Sequence, residues 1–191
     1  RDGYLPGTTG NAYYESKWAM EHEALRATQA GLPVVILCPT AVFGPGDVKP
    51  STGRILLMLA KGQLPAGVDA VNNFVDGRDV ALAHVRAAKH GIPGERYIIG
   101  GYNLNVGEAM RDAARVIGVR PPAVTLKMST VAALLRIAGF LRLPIAATFR
   151  ALPHWQPLNP EKGWRTFDFA PRPFEETVRD TVAWFREHGY L

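Results

Sequence analysis

Tyr13 and Lys17, four residues apart, are the pair in this sequence whose types and spacing speak most directly of chemistry. On a helix, positions i and i+4 share a face about one turn apart. A lysine ammonium beside a phenol favours the phenolate and draws down a pKa that starts near 10. A tyrosine so placed can take the proton of an alcohol as hydride leaves its carbon, or return it to the oxygen in the reverse direction. At this tyrosine and lysine content such a pair arises by chance in roughly one chain in five. The pair alone therefore describes two exposed side chains on a solvated helix equally well.

Other chemistries find little footing. The five histidines show no metal-ligand spacing, so no metal site is expected. Ser16 lies in no G-x-S-x-G turn, which removes the usual frame of a serine hydrolase. Cys38 is the single cysteine. It ends an apolar run, reads as structural, and points to a reducing, cytoplasmic setting without disulfides. The 22 basic residues outnumber the 17 acidic ones, but they are scattered and form no basic stripe for nucleic acid. The apolar helix expected over residues 131–143 is broken by Arg136 and Arg142, too short and too charged for a transmembrane segment.

The elements that must hold the pair follow from periodicity and punctuation. Residues 1–10 form a Gly/Pro/Thr loop, and residues 11–30 favour a helix that ends at Gly31. Residues 34–38 form an apolar run suited to a strand buried on both faces. Residues 43–47 form an irregular loop. Further helices are expected over 51–61, 79–90 and 105–117, the last opened by an Asn105/Glu108 capping box and closed by Gly118. Asp79 is expected to cap the second of these. Short strands are expected at 73–75 and 97–99. A final helix sets Phe174, Val178, Val182 and Phe185 on one face, and the stretch 144–173 is Pro-rich and unpatterned. Strands alternating with helices make the chain α/β.

Context raises the weight of Tyr13 and Lys17. Tyr13, Ser16 and Lys17, then the apolar run, then Pro39-Thr40-Ala41-Val42-Phe43-Gly44-Pro45-Gly46-Asp47 resemble the extended short-chain dehydrogenase/reductase family. There a Y-x-x-S-K helix precedes a strand and a P-x-x-V-[YF]-G-P-G-D loop. Asn73-Phe74-Val75-Asp76-Gly77-Arg78-Asp79-Val80-Ala81 and the Gly94–Gly101 stretch continue the likeness. Residues 47–54 and 184–191 look most like hopanoid-associated sugar epimerases, the neighbours of dihydroflavonol reductases.

The resemblance implies the C-terminal part of a Rossmann-type, doubly wound parallel sheet, joined to a smaller mixed α/β substrate-binding region. Residues 1–48 would belong to the NAD(P)-binding part. Residues 49–191 would be mainly substrate-binding, with some segments returning to the sheet. It further implies an NAD(P)-dependent reductase, epimerase or dehydratase acting on a small hydroxyl or ketone substrate, sugar-like or dihydroflavonol-like. Tyr13 would be the acid/base, and Lys17 would tune it and hold the nicotinamide ribose. Pro39, Thr40, Ala41 and Val42 would lie against the nicotinamide, while Phe43, Lys49 and Arg78 are candidates for substrate contact. Asn72 stands where many nucleotide-sugar enzymes of the family carry arginine, and Asp76-Gly77 departs from the usual His or Tyr followed by Val. The family's catalytic Ser or Thr, and its G-x-G-x-x-G loop, occur nowhere in the sequence. The expectation is therefore a portion of a longer homodimeric enzyme, inactive alone, using NAD or NADP. The alternative is a non-catalytic scaffold that keeps the fold as a binding subunit, or an inactive truncated product. Strand 34–38 is expected to expose an apolar edge.

Overall fold

A computed structural model describes residues 7, 12–141 and 155–191; the loop expected over 1–10, apart from Gly7, and part of the Pro-rich stretch lie outside them. Helix α1 (Ala12–Gln29) ends as its glycine requires: Gly31 adopts φ 93°, and the Gly31 and Leu32 amides donate back to Thr28 and Ala27. Strand β1 (Ile36–Pro39) follows, starting two residues into the expected run 34–38 and ending one residue beyond it. Only Ile36 of β1 is buried, so the expectation of a strand buried on both faces fails. β1 pairs in parallel with β5 (Arg96–Ile99), Ile36 opposite Arg96, and no other described strand lies on its second edge.

The residues expected to form only a loop begin as a strand. β2 (Ala41–Phe43) pairs in parallel with β4 (Val71–Asp76), which pairs antiparallel with β6 (Tyr102–Asn105). A third pair, β3 (Ala66–Asp69) with β7 (Val124–Lys127), is parallel. β2, β3, β6 and β7 escaped sequence reading because each is only three or four residues long. Such strands are specified by their partners rather than by their own composition.

The helices between them pack the strands. α2 (Arg54–Ala60), α4 (Val106–Ile117) and the C-terminal α7 (Phe174–Glu187) enclose a core of Leu56, Leu59, Met110, Val178 and Val182 against Phe43 and Phe74. The Phe43, Phe74 and Phe174 rings meet edge-on or stacked at centroid distances of 5.3 to 5.9 Å. Val178, Val182 and Phe185 are buried, on the face that the spacing of α7 predicts. α4 opens on Asn105, whose side chain accepts from the Glu108 amide at 3.2 Å, and closes on left-handed Gly118 at φ 79°.

A second cluster joins α3 (Gly77–His90) to β5 through Ala83, Ala87, Tyr97 and Ile99, closed by Phe167. Phe167 ends α6 (Glu161–Thr166), a short helix inside the stretch that sequence patterning left irregular. α5 (Met128–Phe140) packs on β3 and β7.

Asp79 does not cap α3, contrary to expectation. Asp76 does: its carboxylate accepts from the Arg78 amide at 2.8 Å. Asp79 sits a turn further in, buried, accepting from the Arg172 backbone amide at 2.8 Å and pairing with the Arg172 guanidinium.

Candidate active site

α1 carries no buried residue, so its side chains are available to whatever lies beside it. Tyr13 is 61% exposed, and the Lys17 amine sits 5.5 Å from the centre of the Tyr13 ring. The i, i+4 spacing thus places the pair together as the sequence anticipates. The Ser16 hydroxyl donates to the Tyr13 carbonyl at 2.8 Å, so it is spent within the helix. Tyr14 is the contrasting neighbour. Burial holds its phenol above the ordinary range, Tyr13 adds to this, and a hydrogen bond with Trp155 opposes it. Both tyrosines line the open space beside α1.

That space is a cleft of about 900 Å³ between α1 and the β1–β2 edge, within the usual size of a small-molecule site. Tyr13 and Lys17 line one wall; Pro39, Thr40, Val42 and Phe43 line the other. Of the remaining sequence-predicted residues, Ala41, Lys49 and Arg78 do not line it. Ala41 turns toward the core that contains Phe43 and Phe74, as alternation along a strand dictates. Lys49 is exposed on the following loop. Arg78 is held by two carboxylates: its Nε and Nη2 donate to Asp76 at 2.9 and 2.7 Å, and its Nη1 meets Asp180 at 2.7 Å. These bonds, led by the one to Asp76, raise the guanidinium pKa further and leave it committed to structure.

Asp76 gathers four donors, for the Thr177 hydroxyl adds a bond at 2.8 Å. Burial pushes its carboxyl up, yet the Arg78 and Thr177 bonds outweigh burial and hold it below the usual carboxylate range. At Asp79 the balance reverses. Burial dominates and raises its pKa despite the Arg172 bonds. The Cys38 thiol, also on the cleft wall, is pushed up by burial and then by Glu21, against Arg96, which disfavours the reactive thiolate.

One residue that shapes the cleft gave no sequence signal beyond membership of a strand. Asn73 is fully buried and makes four side-chain hydrogen bonds. Its Oδ1 accepts from the Thr40 hydroxyl and the Gly101 amide, both at 2.9 Å, and its Nδ2 donates to the Gly101 carbonyl and to Asn103 Oδ1. Thr40 also donates its amide to the Ile99 carbonyl at 3.1 Å. The cleft-lining turn between β1 and β2 is therefore fixed to the Gly100–Gly101 turn through one amide side chain. Trp164 clamps the same turn from behind, donating to the Gly100 carbonyl at 2.6 Å. An asparagine inside an apolar strand context is the only local hint, since a buried amide must find partners for both its ends. The Asp47 carboxylate accepts from the Gly53 amide at 3.2 Å, and the Tyr190 hydroxyl donates to the Val48 carbonyl, tying the far lip of the cleft to α2 and to the C-terminus.

The chain as a whole is similar to known proteins. The chain is 28% identical over 192 residues to a candidate dihydroflavonol 4-reductase from Synechocystis, covering 94% of this chain and 56% of that protein. It is also 28% identical over 200 residues to sterol demethylase protein B from Methylococcus capsulatus, covering 97% of this chain and 60% of that protein. Among solved structures, a nucleoside-diphosphate-sugar epimerase from Pseudomonas aeruginosa superposes with a TM-score of 0.83 at 29% identity, over 100% of this chain and 60% of that one. The chain thus spans well under two thirds of the length of the relatives it matches. Residues 1–100, which hold both walls of the cleft, match the model of the NAD dependent epimerase/dehydratase family, and the chain belongs to that family.

Proposed function

We propose that this chain carries the acid/base half of an NAD(P)-dependent active site that oxidises or reduces a hydroxyl-bearing carbon of a small molecule. The observation that carries the reading is the meeting of Tyr13 and Lys17, 5.5 Å from ring centre to ammonium, on the wall facing Pro39, Thr40 and Val42. In this reading the Tyr13 hydroxyl takes the proton of the substrate alcohol, or returns it to the carbonyl oxygen. The Lys17 ammonium steadies the phenolate and donates to ribose hydroxyls. Pro39, Thr40 and Val42 form a rigid floor that excludes water from one face of the nicotinamide, and Asn73 keeps that floor in place.

The residues present fit one end of a dinucleotide. The cleft offers a cation and a hydroxyl for a ribose beside an apolar wall, whereas no glycine-rich turn at a helix N-terminus exists in the sequence to take the pyrophosphate. When bound, the cofactor supplies the hydride acceptor or donor, as NAD or NADP. Phe43 lines the cleft, but its ring is buried in the core against Phe74 and Phe174, which leaves little of it for substrate. Lys49 and Arg78 have less support, Arg78 because its guanidinium is already engaged.

The relatives are described variously as reductase and epimerase, and the Tyr/Lys chemistry serves either. Net NAD(P)H consumption during turnover identifies a reductase, and turnover without it an epimerase or dehydratase. In the complete protein, Tyr13→Phe lowers kcat by about 10²–10⁴ in this reading. Turnover unchanged by that substitution would remove the proposal. The 191-residue chain alone has no useful NAD(P) affinity, and submicromolar binding by calorimetry would contradict this. The whole enzyme is read as a cytoplasmic homodimer, to be checked by sedimentation of the complete protein.

A further inference from the structure

The edge of β5 that faces away from β1 is closed by a helix. In the parallel pair, the Ile36 and Thr40 amides take the Glu95 and Ile99 carbonyls. Alternation therefore turns the carbonyls of Arg96, Ile98 and Gly100 to the opposite edge, and α6 lies across all three. Lys162 Nζ donates to the Arg96 carbonyl at 3.1 Å, and Trp164 Nε1 donates to the Gly100 carbonyl at 2.6 Å. Between them, a Cβ on Gly163 would come within 2.5 Å of the Ile98 oxygen, so glycine is what lets the helix approach this closely. An open edge invites another strand, and a helix laid along it prevents that. Closing the edge accounts for Lys162 and Gly163. It leaves unexplained an indole that reaches past the strand to the turn beyond it.

The Gly100–Gly101 turn has no slack on its other side. A Cβ on Gly100 would run into Asn73 Oδ1 and come within 3.1 Å of Thr40 Cγ2, and one on Gly101 would run into the Phe74 carbonyl. In packing this tight a displacement of the turn is passed on rather than absorbed. The buried Asn73 side chain bonds the Gly101 amide and carbonyl at one end of the relay and the Thr40 hydroxyl at the other. Trp164 does not line the cleft, whereas Thr40 does. The path between them runs from the indole to the Gly100 carbonyl, then to the Asn73 carboxamide, then to the Thr40 hydroxyl. An indole N–H can only donate, so Trp164→Phe removes its bond while filling much the same space.

We propose that Trp164 is a positioning residue, whose bond to the Gly100 carbonyl sets the Gly100–Gly101 turn and, through Asn73, the placement of Thr40 on the cleft wall. That Thr40 there meets a nicotinamide rests on the function proposed above; the relay itself does not. Backbone amide resonances and exchange rates of the 191-residue chain test the relay without any cofactor. In Trp164→Phe the Gly101 and Thr40 amides shift and exchange about fivefold or more faster, the scale of one lost hydrogen bond. Met110 and Ala113 in α4 keep the parent rates. Lys162→Met, which loosens the other end of α6, leaves Gly101 and Thr40 near the parent rates. Parent-like rates at Gly101 and Thr40 in Trp164→Phe overturn the proposal. Equal acceleration in α4 also overturns it, by making Trp164 an ordinary packing residue, and so does an equal effect of Lys162→Met, which assigns the control to α6 as a whole. In the complete protein, Trp164→Phe raises KM for NAD(P) about fivefold with kcat held within about twofold. A fall in kcat at unchanged KM overturns the positioning role. Unchanged turnover in Tyr13→Phe removes the catalytic reading alone, since the exchange measurement does not depend on it.

Discussion

Asp76 and Asp79 show how two carboxylates three residues apart in sequence can oppose each other in their response to pH. Asp76, held below its ordinary range by Arg78 and Thr177, has a lower pKa folded than unfolded. Its stabilisation is complete above the unfolded value of about 3.9 and is lost as pH falls through the folded one. Asp79 has a raised folded pKa. Its contribution is therefore present below the unfolded value and is lost as pH rises through the folded pKa. Asp76→Asn is expected to destabilise the chain by about 2 to 3 kcal/mol at neutral pH, removing a buried charge-assisted cluster. The same substitution flattens the acid limb of a stability-against-pH curve measured by denaturant titration. An acid limb as steep as the parent's would mean other carboxylates govern it. Asn73→Leu exposes a different cost. It leaves the Gly101 amide and carbonyl without their side-chain partner and frees Thr40, for a loss of about 2 to 3 kcal/mol. In the complete enzyme it would raise KM for the cofactor, and Asn73→Asp, which keeps both acceptor bonds but sets an oxygen against the Gly101 carbonyl and Asn103 Oδ1, would not restore it.

At the scale of elements, the strongest sequence signals were the ones that a single segment can satisfy by itself. The Asn105 cap of α4 and its terminal Gly118 are both realised, though only the asparagine's half of the expected box forms, because a cap and a left-handed glycine are local hydrogen-bonding problems. Gly118→Ala is expected to cost about 1 kcal/mol. No atom obstructs a Cβ there, so the penalty is the left-handed backbone itself. An unchanged melting temperature would refute this. The cap of α3 was assigned to Asp79 rather than Asp76 because both are aspartates near the helix start. The choice was decided by Thr177 and Arg78 on one side and Arg172 on the other, partners that sequence spacing does not reveal. β6 contains two asparagines and reads poorly as a strand, yet it pairs with β4 from Val71 opposite Asn105 to Phe74 opposite Tyr102. Tertiary pairing overrode weak propensity.

Across the whole molecule, burial is uneven. α4 and α7 share the main core, whereas α1, which carries the proposed acid/base, has no buried residue, and β1 beside it has one described strand partner. Few buried apolar contacts mean a low free energy of local opening. Amide hydrogen exchange is therefore expected to be much faster through α1 than through α4 in this chain. Equal protection in the two helices would show that α1 is held by more than the contacts described. The chain covers 56% of one curated relative and 60% of another, and the same experiment on the complete protein would show whether further sequence protects α1.

The sequence by itself determined the α/β class, the placement of Tyr13 and Lys17 on one helical face, the glycine ends of α1 and α4, and the buried face of α7. Each of these depends on the period of a helix or the conformational freedom of one residue, and both are written locally. Only the tertiary structure decided that Ala41 and Arg78 turn away from the cleft, that Asn73 anchors Thr40, and that Trp164 holds the Gly100 carbonyl. Those outcomes depend on which segments meet across long separations, such as Asn73 with Gly101 and Arg78 with Asp180. Hydrogen-bond satisfaction and burial are properties of the assembled neighbourhood, and no stretch of sequence carries them alone.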